Sequence, residues 1–114
     1  MSNTMILNLA KDFSPNPFGR YKSDGPNSGE RFRELLVSKL NQCQQEHDVL
    51  QVYIDDVNIG IGSSFLDESF AGLVFKGYFS YNQLKYLLKI ITEDTSYSDE
   101  IWSYIKEAED HSLR

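Results

Sequence analysis

A chain of 114 residues, 40% hydrophobic and 13% aromatic, has the size and composition of one globular domain, which at this length buries roughly two-thirds of its unfolded surface. The net charge of −6 is carried by one half: residues 1–50 hold six Lys/Arg against six Asp/Glu, and residues 51–114 hold five against eleven. Such a balance argues against direct binding of nucleic acid, which calls for clustered Lys/Arg, and no apolar run nears the ~20 residues of a membrane-spanning helix.

Met1-Ser2-Asn3-Thr4 lacks a basic stretch followed by an apolar run, so no export signal is expected. Met5 to Leu9 is short, apolar and β-compatible, and predicts a first strand. Phe13 to Gly29 then gathers all three prolines (Pro15, Pro17, Pro26) with Gly19, Gly25 and Gly29, a density of turn formers that no regular element tolerates. A structured loop this long is more often functional than idle, which makes it a candidate working surface.

Ser28 is placed to cap a helix with Glu30 in its first turn, and Phe32, Leu35, Leu36, Leu40 and Cys43 recur at helical spacing to about His47. The lone Cys43 has no internal disulfide partner, which suits a packing role in a reduced, cytosolic compartment. In the segment 50–54, Leu50, Val52 and Ile54 alternate with more polar neighbours and predict a central strand. After the turn-rich segment 58–62, Ser63 to Val74 predicts a second helix with Phe65, Leu66, Phe70 and Leu73 toward the sheet and Gly72 at a close backbone approach. Tyr86 to Thr92 predicts another strand, part of which a helix starting near Tyr81 would absorb. A last helix starts at Ser98-Asp99-Glu100 with Ile101, Trp102, Tyr104, Ile105 and Ala108 on its apolar face.

This order predicts a single small α/β domain over residues 1–114, with a mixed central sheet of about four strands covered by helices and frayed ends at 1–4 and 110–114.

Two segments carry a family pattern. One is Gly19-Arg20-Tyr21, Asp24-Gly25 and Ser28-Gly29-Glu30-Arg31-Phe32-Arg33; the other is Val52-Tyr53-Ile54-Asp55, a short turn, then Ser63-Ser64-Phe65-Leu66-Asp67-Glu68-Ser69-Phe70-Ala71-Gly72-Leu73. Together, from about Met5 to Ile105, they resemble the STAS-like domain of unknown function, a family of small bacterial and mobile-element proteins. The second segment is also distantly similar to the STAS domain of anti-sigma factor antagonists, where a strand precedes an Asp-Ser-Ser-Gly-Leu helix start. There the first serine of the pair is phosphorylated by a kinase of the histidine-kinase-like ATPase fold, and the resemblance puts that role on Ser63. Gly62 stands in place of the acid, and Phe65 in place of the glycine.

The residues support this surface on their own terms. A serine pair at a helix start either caps backbone N–H groups, the commoner use, or accepts a phosphate or a partner at the same place. Ser63, Ser64, Phe65, Asp67 and Glu68 are therefore the candidate docking or phosphorylation residues. Gly19, Arg20, Tyr21, Ser28, Gly29 and Arg31, with Lys22 and Arg33 nearby, form a second candidate, an anion cradle at the next helix start; the simpler use of Arg20 and Arg31 is to tie the loop to carboxylates such as Asp24 or Asp55. Asp55, Asp56, Asp67 and Glu68 match no metal motif, and helix-start charge or solvation accounts for them. His47 and His111 are badly placed to activate Cys43 or Ser63.

No cofactor, metal or catalytic residue is assigned. The expected function is that of a non-catalytic regulatory module docking a protein partner, an ATPase-type kinase or a transcription regulator. Two alternatives are a phage or mobile-element inhibitor that blocks a nucleic-acid-binding protein with its acidic half, and a sensor of a nucleotide or phosphoryl ligand. Oligomeric state is left open.

Overall fold

In the computed structural model, which describes residues 3–112, three parallel strands form one sheet in the order β1-β2-β3: β1 (Thr4–Asn8), β2 (Val49–Tyr53) and β3 (Leu88–Ile91). Each strand is followed by helical chain, and helical crossovers are what allow successive strands to run parallel. The register aligns Met5 with Leu50 and Leu88, and Leu7 with Val52 and Ile90. These rows form the core face, while Ile6, Gln51 and Lys89 occupy the opposite one. Crossovers of one hand stepping in one direction deliver their helices to the same side. The outer face consequently stays open, and Ile6 is 61% exposed on it.

The expected mixed sheet of about four strands is thus corrected to three parallel strands. The three individually predicted strands each have a counterpart, and the last is shortened within residues 81–92. Ser80 accepts from the Gln83 N–H at 3.1 Å while the Gln83 side chain accepts from the Ser80 N–H at 2.9 Å, a reciprocal cap that starts a helix at Tyr81. That helix takes Tyr86 and Leu87, leaving a four-residue strand. At the first strand, the Asn8 side-chain Oδ1 accepts from the N–H groups of Ala10 and Lys11, and the chain enters a single π-turn (Leu9–Phe13) one residue earlier than expected.

Helix α1 (Gly29–Glu46) begins at Ser28, whose hydroxyl accepts from the Arg31 N–H at 3.3 Å, and ends at His47 in the left-handed region with φ 59°. Phe32, Leu36, Leu40 and Cys43 are fully buried along one stripe, with Leu35 at its half-buried margin. Helix α2 covers residues 63–75 as two α-helical turns (Ser63–Leu66, Gly72–Phe75) joined by a π-turn (Asp67–Ala71). Within it the buried Ser69 hydroxyl donates to the Phe65 carbonyl at 2.7 Å, a bond that competes with the regular ladder. Helix α3 is Tyr81–Leu87 and helix α4 is Thr95–Ser112, which starts three residues before the expected Ser98 because Asp94 accepts from the Ser96 N–H at 3.0 Å.

The core joins Leu7, Leu50 and Val52 of the sheet to Phe32, Phe65, Phe70, Ile101 and Ile105 of the helices. Phe13, Phe32, Phe65 and Phe70 interlock at ring-centroid distances of 5.2 to 6.2 Å. No helix among the described residues is long and apolar enough to cross a membrane. At the ends expected to fray, the Asn3 carbonyl accepts from the Val49 N–H at 2.9 Å and α4 reaches Ser112; residues 1–2 and 113–114 lie outside the described residues.

Candidate functional site

The 14–28 loop folds back on the start of α1 and holds itself together through its backbone. Phe18 donates to the Asn27 carbonyl at 3.0 Å, and the Asp24 carboxylate accepts from the N–H groups of Arg20 at 3.1 Å and Tyr21 at 2.9 Å. Gly19 adopts φ +92°, and a Cβ there would lie 2.7 Å from the Asp24 Cβ, so this tight turn needs glycine. The carbonyls of Gly19 and Arg20 accept the first N–H groups of α1, from Gly29 at 2.9 Å and Glu30 at 3.0 Å.

This arrangement corrects the expected anion cradle. The donors at the head of α1 are consumed by the loop and by Ser28, and both Ser28 and Gly29 are buried. The four cations do not converge either. Lys22 pairs with Glu34 at 3.0 Å, and Arg31 is exposed with no ion pair among the described residues. Arg33 points inward, where its Nη1 meets the Glu68 carboxylate at 2.6 Å and the Glu68 backbone oxygen at 2.7 Å. Arg20 does tie the loop to the body, through Asp67 at 2.9 Å and Glu68 at 3.4 Å in place of the expected Asp24 or Asp55. The Asp67 hydrogen bond, and after it Glu68, holds the Arg20 guanidinium more firmly protonated than usual against the pull of desolvation.

Glu68 is therefore the hub between the two sequence segments, receiving Arg20 on one oxygen and Arg33 on the other. Two glycines make room for it. A Cβ on Gly29 would fall 2.6 Å from the Phe65 carbonyl oxygen, and one on Gly72 would fall 2.6 Å from Arg33 Nη1. Glu68 is 3% exposed and Phe65 1%, so neither presents a side chain to a partner as expected; Phe65 stacks on Phe32 at 5.7 Å.

What remains outward is an open cleft of about 500 Å³ between the loop and the head of α2. Phe18, Gly19 and Arg20 line one side and Gly62, Ser63 and Ser64 the other. Gly62, which has no side chain to offer, is the capping position of α2; Ser63 and Ser64 are its first two residues, and both are exposed. The simple capping use of these serines is thereby corrected: the hydroxyls sit one step past the cap. Behind them, the Tyr104 phenol donates to Glu100 at 2.7 Å, close enough to Ser63 to feel its hydroxyl. The Glu100 hydrogen bond, then burial, raises the Tyr104 phenol above its ordinary range.

Sequence reasoning missed Phe18 and Tyr104. Phe18 is 67% exposed at the cleft rim, and its signal was an aromatic directly after Pro17 in a turn-rich loop. Tyr21, which was singled out, is 52% exposed on the same loop. The acidic residues do not assemble: Asp55 accepts from Thr92 at 2.6 Å and the Glu93 N–H at 2.8 Å, Asp56 accepts from Asn8, and Asp67 and Glu68 are taken by arginines. Among the described residues no group of three or more His, Cys, Asp or Glu is placed to hold a metal. His47 and His111 are exposed at helix ends, while Cys43 is buried, and that burial pushes its thiol upward. No family model, curated protein or solved structure matches the chain.

Proposed function

We propose that the chain is a STAS-like, non-catalytic regulatory module that docks a protein partner through the cleft between the 14–28 loop and the head of α2. The observation that carries this reading is the pair of exposed hydroxyls, Ser63 and Ser64, facing the exposed Phe18 across an open cleft. An exposed aromatic with an arginine beside it, Phe18 and Arg20, is of the composition enriched at partner-binding surfaces, and the hydroxyls add hydrogen-bonding groups beside them. Support also comes from rigidity. The loop is tied to α2 through Arg20 and to α1 through Gly19, so the surface is pre-organised and binding orders little chain.

A phosphate on Ser63 would be a switch by repulsion. It would arrive beside Tyr104, whose hydrogen-bond partner is Glu100, and one turn from Asp67, adding negative charge to an already acidic corner. Partnering with a histidine-kinase-like ATPase or a transcription regulator rests on the family resemblance.

The test is affinity capture from the native host with the wild-type chain, Phe18→Ala and Ser63→Glu, each checked by thermal melting. Proteins retained by the wild type should be lost from both variants at unchanged melting temperature. Equal recovery by all three removes the cleft from consideration. Capture that collapses with added salt and ignores both substitutions would favour the acidic inhibitor instead.

A further inference from the structure

Strand β3 is an end strand of the sheet, and a groove of about 460 Å³ runs along it beneath Tyr81 and Trp102. The Ile54 N–H donates to the Ile91 carbonyl at 3.4 Å, which turns that carbonyl toward β2. Backbone groups alternate along a strand, so the N–H and C=O of Ile90 turn the other way, to the unpaired edge. Tyr81 and Trp102 stand half-buried beside it, their rings meeting edge-to-face with centroids 6.3 Å apart, a wall already formed.

The charge of this groove runs against that of the molecule. The chain carries −6, yet the groove is lined by Lys85 and Lys89 and by no acid. Neither lysine has an ion pair among the described residues; Lys106, over the Tyr81 ring at 5.2 Å, is held by Asp110 at 3.0 Å. A lysine on an edge strand also repels a second copy of the same edge, which disfavours self-pairing here.

We propose that the β3 edge binds an extended acidic segment of a partner protein, which adds as a fourth strand. Its backbone pairs with Ile90. Alternate side chains then fall on opposite faces: apolar ones reach Tyr81 and Trp102, and carboxylates reach Lys89 on the outer face, with Lys85 at the rim. This edge shares no lining residue with the Ser63 cleft and stands independently of it.

The test uses the full chain and fluorescein-labelled peptides of alternating valine and glutamate, read by anisotropy. The expected result is saturable binding, weakened about tenfold or more when lysine replaces glutamate in the peptide, and lost when alternate peptide nitrogens are methylated. Lys85→Glu with Lys89→Glu, both exposed and so compatible with folding, should reverse the preference toward the lysine peptide. Absent binding of the glutamate peptide, equal binding of the two peptides, or unchanged binding after N-methylation would each overturn the proposal.

Discussion

Replacing Glu68 by glutamine tests the hub most directly, because the amide keeps the shape and removes only the charge. Arg33 is then left buried beside a neutral group, its side chain 7% exposed, with Glu30 no nearer than 4.0 Å. Removing one partner of a buried ion pair costs about 3–5 kcal/mol, and the glutamine oxygen still accepts a hydrogen bond, which places Glu68→Gln near about 3. For a chain of this length the unfolding entropy is about 0.24 kcal/mol/K, so the melting temperature should fall by about 12 °C.

The paired substitution separates charge from packing. Arg33→Met with Glu68→Met removes both ions and with them the bond from Arg33 Nη1 to the Glu68 backbone oxygen at 2.7 Å, while Arg20 loses Glu68 but keeps Asp67 at 2.9 Å. Losing that bond costs roughly 1–2 kcal/mol, so the double variant should be more stable than Glu68→Gln alone. Circular dichroism melts and urea titrations supply both values. A single variant within about 1 kcal/mol of wild type, or a double variant less stable than the single, would refute the buried-charge argument.

Gly72→Ala should destabilise by about 1–3 kcal/mol, since its Cβ would sit 2.6 Å from Arg33 Nη1 and 2.9 Å from Arg33 Cδ; urea unfolding measures it, and adding Arg33→Met should recover part of the loss. Tyr104 should ionise above the ordinary tyrosine value of 10.0 in an alkaline absorbance titration, and Tyr104→Phe should delete that step. Because its folded pKa is raised, the stability it contributes is present below the ordinary tyrosine value of 10.0 and lost as pH rises through the higher folded value.

Most of the element order was legible from local signals: Ser28 caps α1, and residues 63–75 keep a helical apolar stripe despite their π-turn. The extent of the last strand was less legible. The run Tyr86 to Thr92 is apolar enough to suit either element, and the decision lies upstream in the Ser80 and Gln83 cap. Periodicity also does not state strand direction; three strands each followed by helix settle it as parallel. At the site, the loop and the serine helix were both legible as parts of one partner surface, and the way they meet was not. It depends on Arg20 reaching Asp67 and Glu68 across 47 and 48 residues of sequence, a contact invisible to local pattern.

The residues of the loop and of the two helices it meets divide by burial, and the division has a consequence for function. Gly29, Arg33, Glu68 and Gly72 are interior and mutually dependent: the glycines admit the ion pair, and the ion pair fixes α1 against α2. These residues fix how the chain folds, whatever partner it meets. Ser63, Ser64, Phe18 and Tyr21 are exposed, and none of them carries the buried pair. Substitution should accordingly separate two phenotypes. Interior changes lower the melting temperature, and binding falls only as the folded fraction falls. Changes at the cleft alter partner capture at constant stability; a Ser63→Glu variant that lost stability as heavily as Glu68→Gln would place the serine in the fold and take the docking role away from it.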